Sequence, residues 1–477
     1  MERPDRPHGP IVVTLGLLWF RQDLRLSDHP ALLAAAGEGS VVPLVVLEPG
    51  QLTDTRGPAR RMLRSVAALH EATGGALLVR SGDPREVVPQ AAAALGAQRV
   101  HISRDTTPGG RERDEHVADQ LQTDGAELVT AGTPHAIGPG LVHTGEGTPY
   151  KVFTPFARAW REHGWPQPAD HPSEDIWRRP DSAAVARIGE DALAAVLQAG
   201  AQDAVDGPAG ERAALVRWRT FLEDHLSEYD AGRDRPDLDA TSRMSIHLAH
   251  GEIHPRTMLA DIAAHPAAGS DAAHRFVTEL AWREFYADVL WHRPDSAWQD
   301  LRDALAALPY DEGPETDRLV EAWRQGRTGF PFVDAGMRQL AAEGFMHNRA
   351  RMVVASFLTK DLHVWWPVGA RHFLDHLLDG DLASNSHGWQ WVAGTGTDAS
   401  PYFRVFNPVT QGQRFDPDGA YVRRWVPELA HLGGKAAHTP WDHPDGYDHG
   451  YPERIVDHAQ ERRETLDRYE STREGGV

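Results

Sequence analysis

Between residues 11 and 135 short β-branched runs alternate with alanine-rich segments, and this alternation limits the fold more than any other feature of the chain. LGLLWF, VVPLVVLE, ALLVRSG and RVHISRD read as strands, while HPALLAAAG, GPARRMLRSVAALHEAT, REVVPQAAAALG and GGRERDEHVADQLQ read as helices. Such an order predicts a doubly wound parallel sheet with helices on both faces. Neither GxGxxG nor GxxxxGK[ST] accompanies it, so the sheet domain lacks the usual fingerprints for NAD or ATP.

Residues 136–210 are rich in Pro, Gly, Asp and Ala and read as a long interdomain linker. From Glu211 onward β-branched runs become rare and apolar residues recur at helical spacing, as in RFVTELAWREFYADVLW and NRARMVVASFLTKDLHVWW. Residues 211–477 are therefore expected to form an all-helical domain behind the α/β one. A chain of 477 residues with 41% apolar side chains has room for both cores. The absence of cysteine removes disulfides, thiolate nucleophiles, Cys-ligated zinc and iron–sulfur clusters, and suits an intracellular protein. The apolar run IVVTLGLLWF is ten residues long and is followed by Arg21, too short to span a bilayer and without a small-residue cleavage site. A buried strand is expected there, and no membrane partner. The formal charge of −20 argues on average against nucleic acid. Between Glu321 and Pro427, however, 11 Lys/Arg face 10 Asp/Glu, so a local basic surface stays open.

The segment DGDLASNSHGWQW, residues 379–391, is too acidic for an ordinary core and too aromatic for an ordinary loop. Its tryptophans belong to a helical-half series, Trp282, Trp291, Trp323, Trp365, Trp366, Trp389 and Trp391, that fits core packing, stacking platforms for a flat ligand, or a relay of oxidisable indoles. Arg349 and Arg351, with Asp379 and Asp381, could form helix-fixing ion pairs or surround a charged cofactor. TSRMS, Thr241–Ser245, reads either as a helix cap or as a set of donors for a pyrophosphate. His372 and His376 stand at i, i+4, but no HExxH and no third ligand accompany them, and no metal is expected. No serine sits in GxSxG, so a hydrolase elbow is unsupported.

Taken in order, LLWFRQDLRLSDHPAL, TSRMS, ELAWREFY, TGFPFVDAGMRQL, HNRARMVVASFLTKDL, DGDLASNSHGWQW and TGTDASPYFRVFNPVTQGQRFDP resemble the DNA photolyase/cryptochrome family over nearly the whole chain. The nearest likeness is to class I cyclobutane pyrimidine dimer (CPD) photolyases. The resemblance implies an antenna domain, a linker, and a helical domain holding FAD in a U-shape. Tyr229, Thr241, Ser242, Arg243, Met244, Ser245 and Asn348 match residues around the cofactor's phosphates and pocket. Arg351, Asp379, Asp381 and Asn385 match those beside the flavin ring, with Asn385 facing its N5. Trp389 and Trp366 match the first members of an electron path. Its third member is usually a tryptophan, and Tyr310 aligns best with it here.

Asn348 and Met352 stand where the (6-4) branch of the family carries histidines, which favours the CPD branch. Glu279, Trp282 and Trp391, with Asn348 and Met352, match the residues that bond to and stack on a flipped dimer, and Glu279 is expected to be partly protonated on substrate. Arg233, Arg349, Arg404 and Arg414 are expected to grip phosphates of UV-damaged DNA. The resemblance implies light-driven repair by electron transfer from excited FADH⁻. A cryptochrome-type blue-light sensor is the alternative. Gly109 and Gly110 replace the Asn-Glu pair of folate binders, so the expected antenna is 8-hydroxy-5-deazaflavin, with Arg60 and Asp105 as contacts, rather than methenyltetrahydrofolate. A monomer in the bacterial cytosol and nucleoid completes the expectation.

Overall fold

The computed structural model describes residues 14–172, 174–202, 207–305, 307–401 and 403–474. Residues 11–13, where the first domain is expected to begin, lie outside the described residues, as do 173, 203–206 and 475–477. Six strands form one sheet: β1 (Thr14–Phe20), β2 (Gly39–Leu47), β3 (Leu78–Ser81), β4 (Arg99–Ile102), β5 (Glu127–Thr130) and β6 (Glu190–Asp191). Their order is β5-β4-β1-β2-β3-β6, parallel throughout except for β6, which runs antiparallel to β3.

β1 sits at the centre because both of its faces are apolar. Leu18 and Phe20 pack among residues of the helices Pro30–Ala36 and Gly57–Ala72, while Leu17 and Trp19 pack on the other face with Pro84–Leu95 and Pro108–Thr123. All four are at most 1% exposed. Burial of each is worth about 1.5–3 kcal/mol, enough in sum to fix this strand inside the sheet. The four strands and four helices expected from sequence are present. β5 and β6 were not read: β5 is a half-exposed edge, and β6 is two exposed acids without any apolar signal.

The stretch 136–210, expected as a linker, carries structure of its own. The Phe153–His163 helix packs Phe153, Phe156 and Trp160 into the same apolar cluster as Trp218, Phe276 and Phe285 of the helical half. The chain then returns to the sheet. Ile176, Ala192, Val196 and Ala199 join the cluster around β1 and β2, and the Leu193–Gly200 helix lies on Gly57–Ala72. A helix, Glu211–Asp224, follows Gly210. Among the described residues the two largest apolar clusters of the helical half divide its helices between them. One gathers around Glu211–Asp224 and the long Asp271–His292 helix; the other gathers around Pro331–Glu343, Asn348–Ser356, Trp366–His376 and Leu382–Ala393.

Two buried carboxylates lock sheet domain to helical half. Glu252, 0% exposed, accepts bonds from Arg61 Nη2 at 2.5 Å, Ser65 Oγ at 2.6 Å, the Gly210 N–H at 2.6 Å and His247 Nδ1 at 2.5 Å. Burial alone would raise its pKa, but the His247 bond and the Arg61 charge outweigh it and hold it at about 2. Asp28 likewise binds Arg256 at 2.5 Å and the Ala169 N–H at 2.8 Å. Next to Glu252, Gly251 has φ +64°, and a side chain there would strike the backbone of Gln22 and Asp23 beyond β1.

Because the folded-state pKa of Glu252 is depressed, its stabilisation is complete above the unfolded value near 4.5 and is lost as pH falls toward 2. Glu252→Gln removes the buried carboxylate charge that Arg61 and His247 bond to and is expected to lower the unfolding free energy by about 3–5 kcal/mol at pH 7. It should also flatten the fall in stability below pH 4.5. Urea titration across pH checks both; a variant as stable as the parent would refute the lock.

Candidate functional site

The TSRMS turn depends on Arg243, whose φ of +53° places it in the left-handed region between Ser242 and the Met244–Ala249 helix. Ser242 Oγ accepts the Met244 N–H at 3.3 Å, and Arg217 ties down the carbonyls of Ser242 (2.9 Å) and Thr241 (3.1 Å) from behind. Arg243 faces Glu343 at 3.5 Å and Asp239 at 3.4 Å. Thr241 and Ser242 are half-buried, Ser245 is exposed and Met244 is buried. Tyr229 is buried against the rings of Phe221 and Phe276.

Along the Leu382–Ala393 helix, Asp381, Asn385 and Gly388 share one face by their i+4 and i+3 spacing. Asp381 caps the helix through the Ser384 N–H at 2.7 Å, and Asn385 donates to the Ala370 carbonyl at 2.9 Å. Gly388 is half-buried, yet a Cβ built on it would meet nothing within 4 Å. Open space therefore lies beside this face. Near its start Arg351 Nη2 reaches both oxygens of buried Asp379, at 3.0 and 2.8 Å, while its Nε donates to the Met346 carbonyl at 2.7 Å. A hollow bordered by a fixed guanidinium, carboxylates and an amide has the donor set that a flavin ring and its ribityl chain require, so these residues fit FAD.

Several of the candidate DNA residues are linked to one another through acids. Glu279 and Trp282 lie one turn apart on Asp271–His292. Arg233 bonds to Glu279 at 2.6 Å rather than standing free; Asp234 bonds to Arg349 at 2.6 Å; and Arg349 approaches Met352 Sδ at 3.6 Å. A continuous polar bridge thus runs from the helix of Trp282 to Met352. Arg349 and Arg414 both lie over the Phe415 ring, at 4.3 and 5.0 Å. Trp282 stacks on Phe153 with ring centroids 3.5 Å apart and 7° between planes. Trp391 and Met352 are half-buried on the other cluster, and Asn348 and Arg404 are exposed. The sequence reading did not foresee that Arg233 and Arg349 are already matched with acids. It also gave no part to Phe153, Asp234 or Lys360, whose Nζ holds the Arg404 carbonyl at 2.9 Å.

Trp389 is buried against Phe373 and Trp323, and a side chain on Gly369 would overlap its indole. Trp366, on the adjoining helix, donates Nε1–H to Asp300 at 2.8 Å, and Trp365 donates to the other oxygen at 3.3 Å. The two indoles lie 6.5 Å apart, and Tyr310 touches Trp365 at a further 6.5 Å. Trp365 had been counted among the tryptophans but given no role, and Asp300 is a lone acid with no motif around it.

Asp105 and Arg60 line different cavities. At the carboxyl ends of β1 and β4, where the strand order reverses, Arg21, Asp23, Ser103, Asp105, Leu374 and Asp381 enclose about 180 Å³. Arg56, Arg60, Arg64, Glu343, Asp375 and His376 enclose a second cavity of about 380 Å³ across the end of Trp366–His376. Asp105 accepts bonds from the Thr107 N–H (2.9 Å) and Arg113 (3.0 Å); burial would raise its pKa, but these bonds and the Arg21 and Arg113 charges hold it low. Its carboxylate fills the space a side chain on Gly110 would need. Among the described residues no group of three His, Asp or Glu side chains is placed to hold a metal, and no helix is long and apolar enough to cross a membrane.

Residues 276–471 match the FAD binding domain of DNA photolyase, and residues 16–173 match the DNA photolyase domain. The deoxyribodipyrimidine photo-lyase of Escherichia coli is 38% identical, over 97% of this chain and 100% of its own. A bacterial class III photolyase from Agrobacterium tumefaciens superposes with a TM-score of 0.83 at 36% identity, covering 97% of this chain and 98% of that one. A Synechocystis cryptochrome gives a TM-score of 0.81 at 28% identity, covering 97% and 100%. With both domain matches and relatives aligned over nearly their full length, the chain belongs to the DNA photolyase family.

Proposed function

We propose that this protein is a deoxyribodipyrimidine photolyase, a carbon–carbon lyase that repairs cyclobutane pyrimidine dimers in DNA under light. The observation that carries the reading is the polar bridge from Glu279, one helical turn from Trp282, through Arg233, Asp234 and Arg349 to Met352. Without DNA these charges satisfy one another. Phosphates would draw Arg233 and Arg349 outward, with Arg404 and Arg414 beside them, and affinity gained in this way falls steeply with salt. The departure of Arg233 frees the Glu279 carboxyl for the lesion. Trp282, braced from behind by Phe153, and Trp391 then hold the extruded dimer, whose poor stacking lowers the cost of leaving the duplex to a few kcal/mol.

Thr241, Ser242, Arg243, Met244, Ser245, Tyr229 and Asn348 would hold the phosphates and adenosine of FAD, and Arg351, Asp379, Asp381 and Asn385 its ring. The chemistry a reduced anionic flavin would supply there is one electron lent to the dimer under light and returned after the ring splits. Arg351 offers that anion a cation already fixed by Asp379. Trp389 and Trp366 provide the route by which outside electrons reload it. For the antenna we favour 8-hydroxy-5-deazaflavin over methenyltetrahydrofolate, because Asp105 occupies the space where a glutamate at position 110 would stand. A monomer in the bacterial cytosol and nucleoid goes with this reading.

Illumination of the reduced protein with CPD-containing oligonucleotide should restore the two thymines, resolved by chromatography. DNA binding without repair would favour a cryptochrome-like sensor, for which the Synechocystis likeness speaks. Glu279→Ala is expected to weaken binding of lesion DNA by about tenfold, through loss of ~1.5 kcal/mol of hydrogen bonding, with flavin content unchanged. Equal affinity in both proteins would remove the substrate role of Glu279. Trp366→Phe should abolish reduction of bound flavin by light and external thiol while chemically reduced enzyme repairs normally. Photoreduction at the parental rate would dismiss the route.

A further inference from the structure

We propose that Trp365, which shares the carboxylate of Asp300 with Trp366, is the outer electron donor of this protein, and that Tyr310 is a packing neighbour rather than a relay member. The inference rests on the reading that FAD binds in the helical half and is reloaded through Trp389 and Trp366. Three observations carry it. First, no ring contact joins Tyr310 to Trp366 among the described residues. Tyr310 touches Trp365, which in turn touches Trp366, each pair with centroids 6.5 Å apart. Along these ring contacts Trp365 stands between Tyr310 and Trp366.

Second, the two indoles are electrostatically alike. Asp300 accepts the Trp366 N–H on one oxygen at 2.8 Å and the Trp365 N–H on the other at 3.3 Å. A carboxylate so close to both rings stabilises positive charge on either and fixes their mutual geometry. An indole can lose an electron and keep its proton, so charge passes between the pair with both N–H bonds in place. Third, a phenol must shed its proton to be oxidised readily, and the buried Tyr310 hydroxyl has no hydrogen-bond partner among the described residues. Burial, followed by the negative charge of Asp300, pushes its pKa up, which opposes that loss further. Trp365 is half-buried, so soluble reductants can reach its exposed part.

The electron count closes. With oxidised flavin bound and excited by light, Trp389 would give it one electron, Trp366 would refill Trp389, and Trp365 would refill Trp366. A soluble thiolate then returns one electron to Trp365, and two such thiolates end as a disulfide.

The test uses the full chain with oxidised FAD bound, thiol present, and laser-flash absorption to identify the oxidised side chain. Wild type should give a long-lived tryptophan radical spectrum without a tyrosyl component. Trp365→Phe should shorten the lifetime of the separated charge by roughly tenfold or more, with flavin content unchanged. Tyr310→Phe should stay within about twofold of wild type. Asp300→Asn, which keeps the hydrogen-bond acceptor but removes the charge, should shorten the lifetime several-fold. A tyrosyl spectrum in wild type, or loss of the long-lived signal in Tyr310→Phe with Trp365→Phe unaffected, would overturn the proposal. Insensitivity to Trp366→Phe would bring down the relay as a whole, and a protein that takes up no flavin would bring down the functional reading beneath it.

Discussion

A charge sealed away from water must find its partners, and Glu252 meets that demand by reaching into the other domain. Its four donors come from the Gly57–Ala72 helix, from Gly210 and from His247, so the sheet and the helical half cannot shift independently without stranding the Glu252 carboxylate. Gly251 beside it lets the backbones meet at van der Waals distance. As a result the loops after β1 and β4 are held against Leu374 and Asp381, so that residues of both lobes, Asp381 among them, line the crevice at the strand reversal. Energy collected by a chromophore in that crevice would have a fixed path to travel.

Much of this was legible in the residues. The central strands announced themselves because both faces are apolar, and the helical half because apolar residues recur at helical spacing from Glu211 onward. Long motifs around Asp379, Asp381 and Asn385 pointed to the pocket, and the structure gathers these residues on and beside one helix face. What escaped were features made by pairs distant in sequence. No pattern in AWREF reveals that Glu279 will meet Arg233, forty-six residues earlier. Asp300 carries no motif, since its meaning lies in which two indoles it reaches. Gly110 read as a departure from a folate pattern; the reason for glycine there is the Asp105 carboxylate folded against it.

The same pairing reconciles a chain of formal charge −20 with a polyanionic partner. Arg233 and Arg349 are matched by Glu279 and Asp234 while the surface is empty, so their desolvation is shared with carboxylates. Under the proposed function, DNA binding would exchange one anionic neighbour for another instead of burying bare charge. Such an exchange would give less affinity than free arginines, but it would make the vacated carboxyl available to the lesion.

The path of the backbone between the two lobes has a consequence of its own. After β5 the polypeptide crosses to the helical half, leaves the Phe153–His163 helix there, returns to add β6 and the Leu193–Gly200 helix to the sheet, and crosses once more at Gly210. Each lobe is stitched with thread from the other, so no single cut yields two intact pieces. Evolutionary exchange of one lobe for another would have to carry this seam along with it.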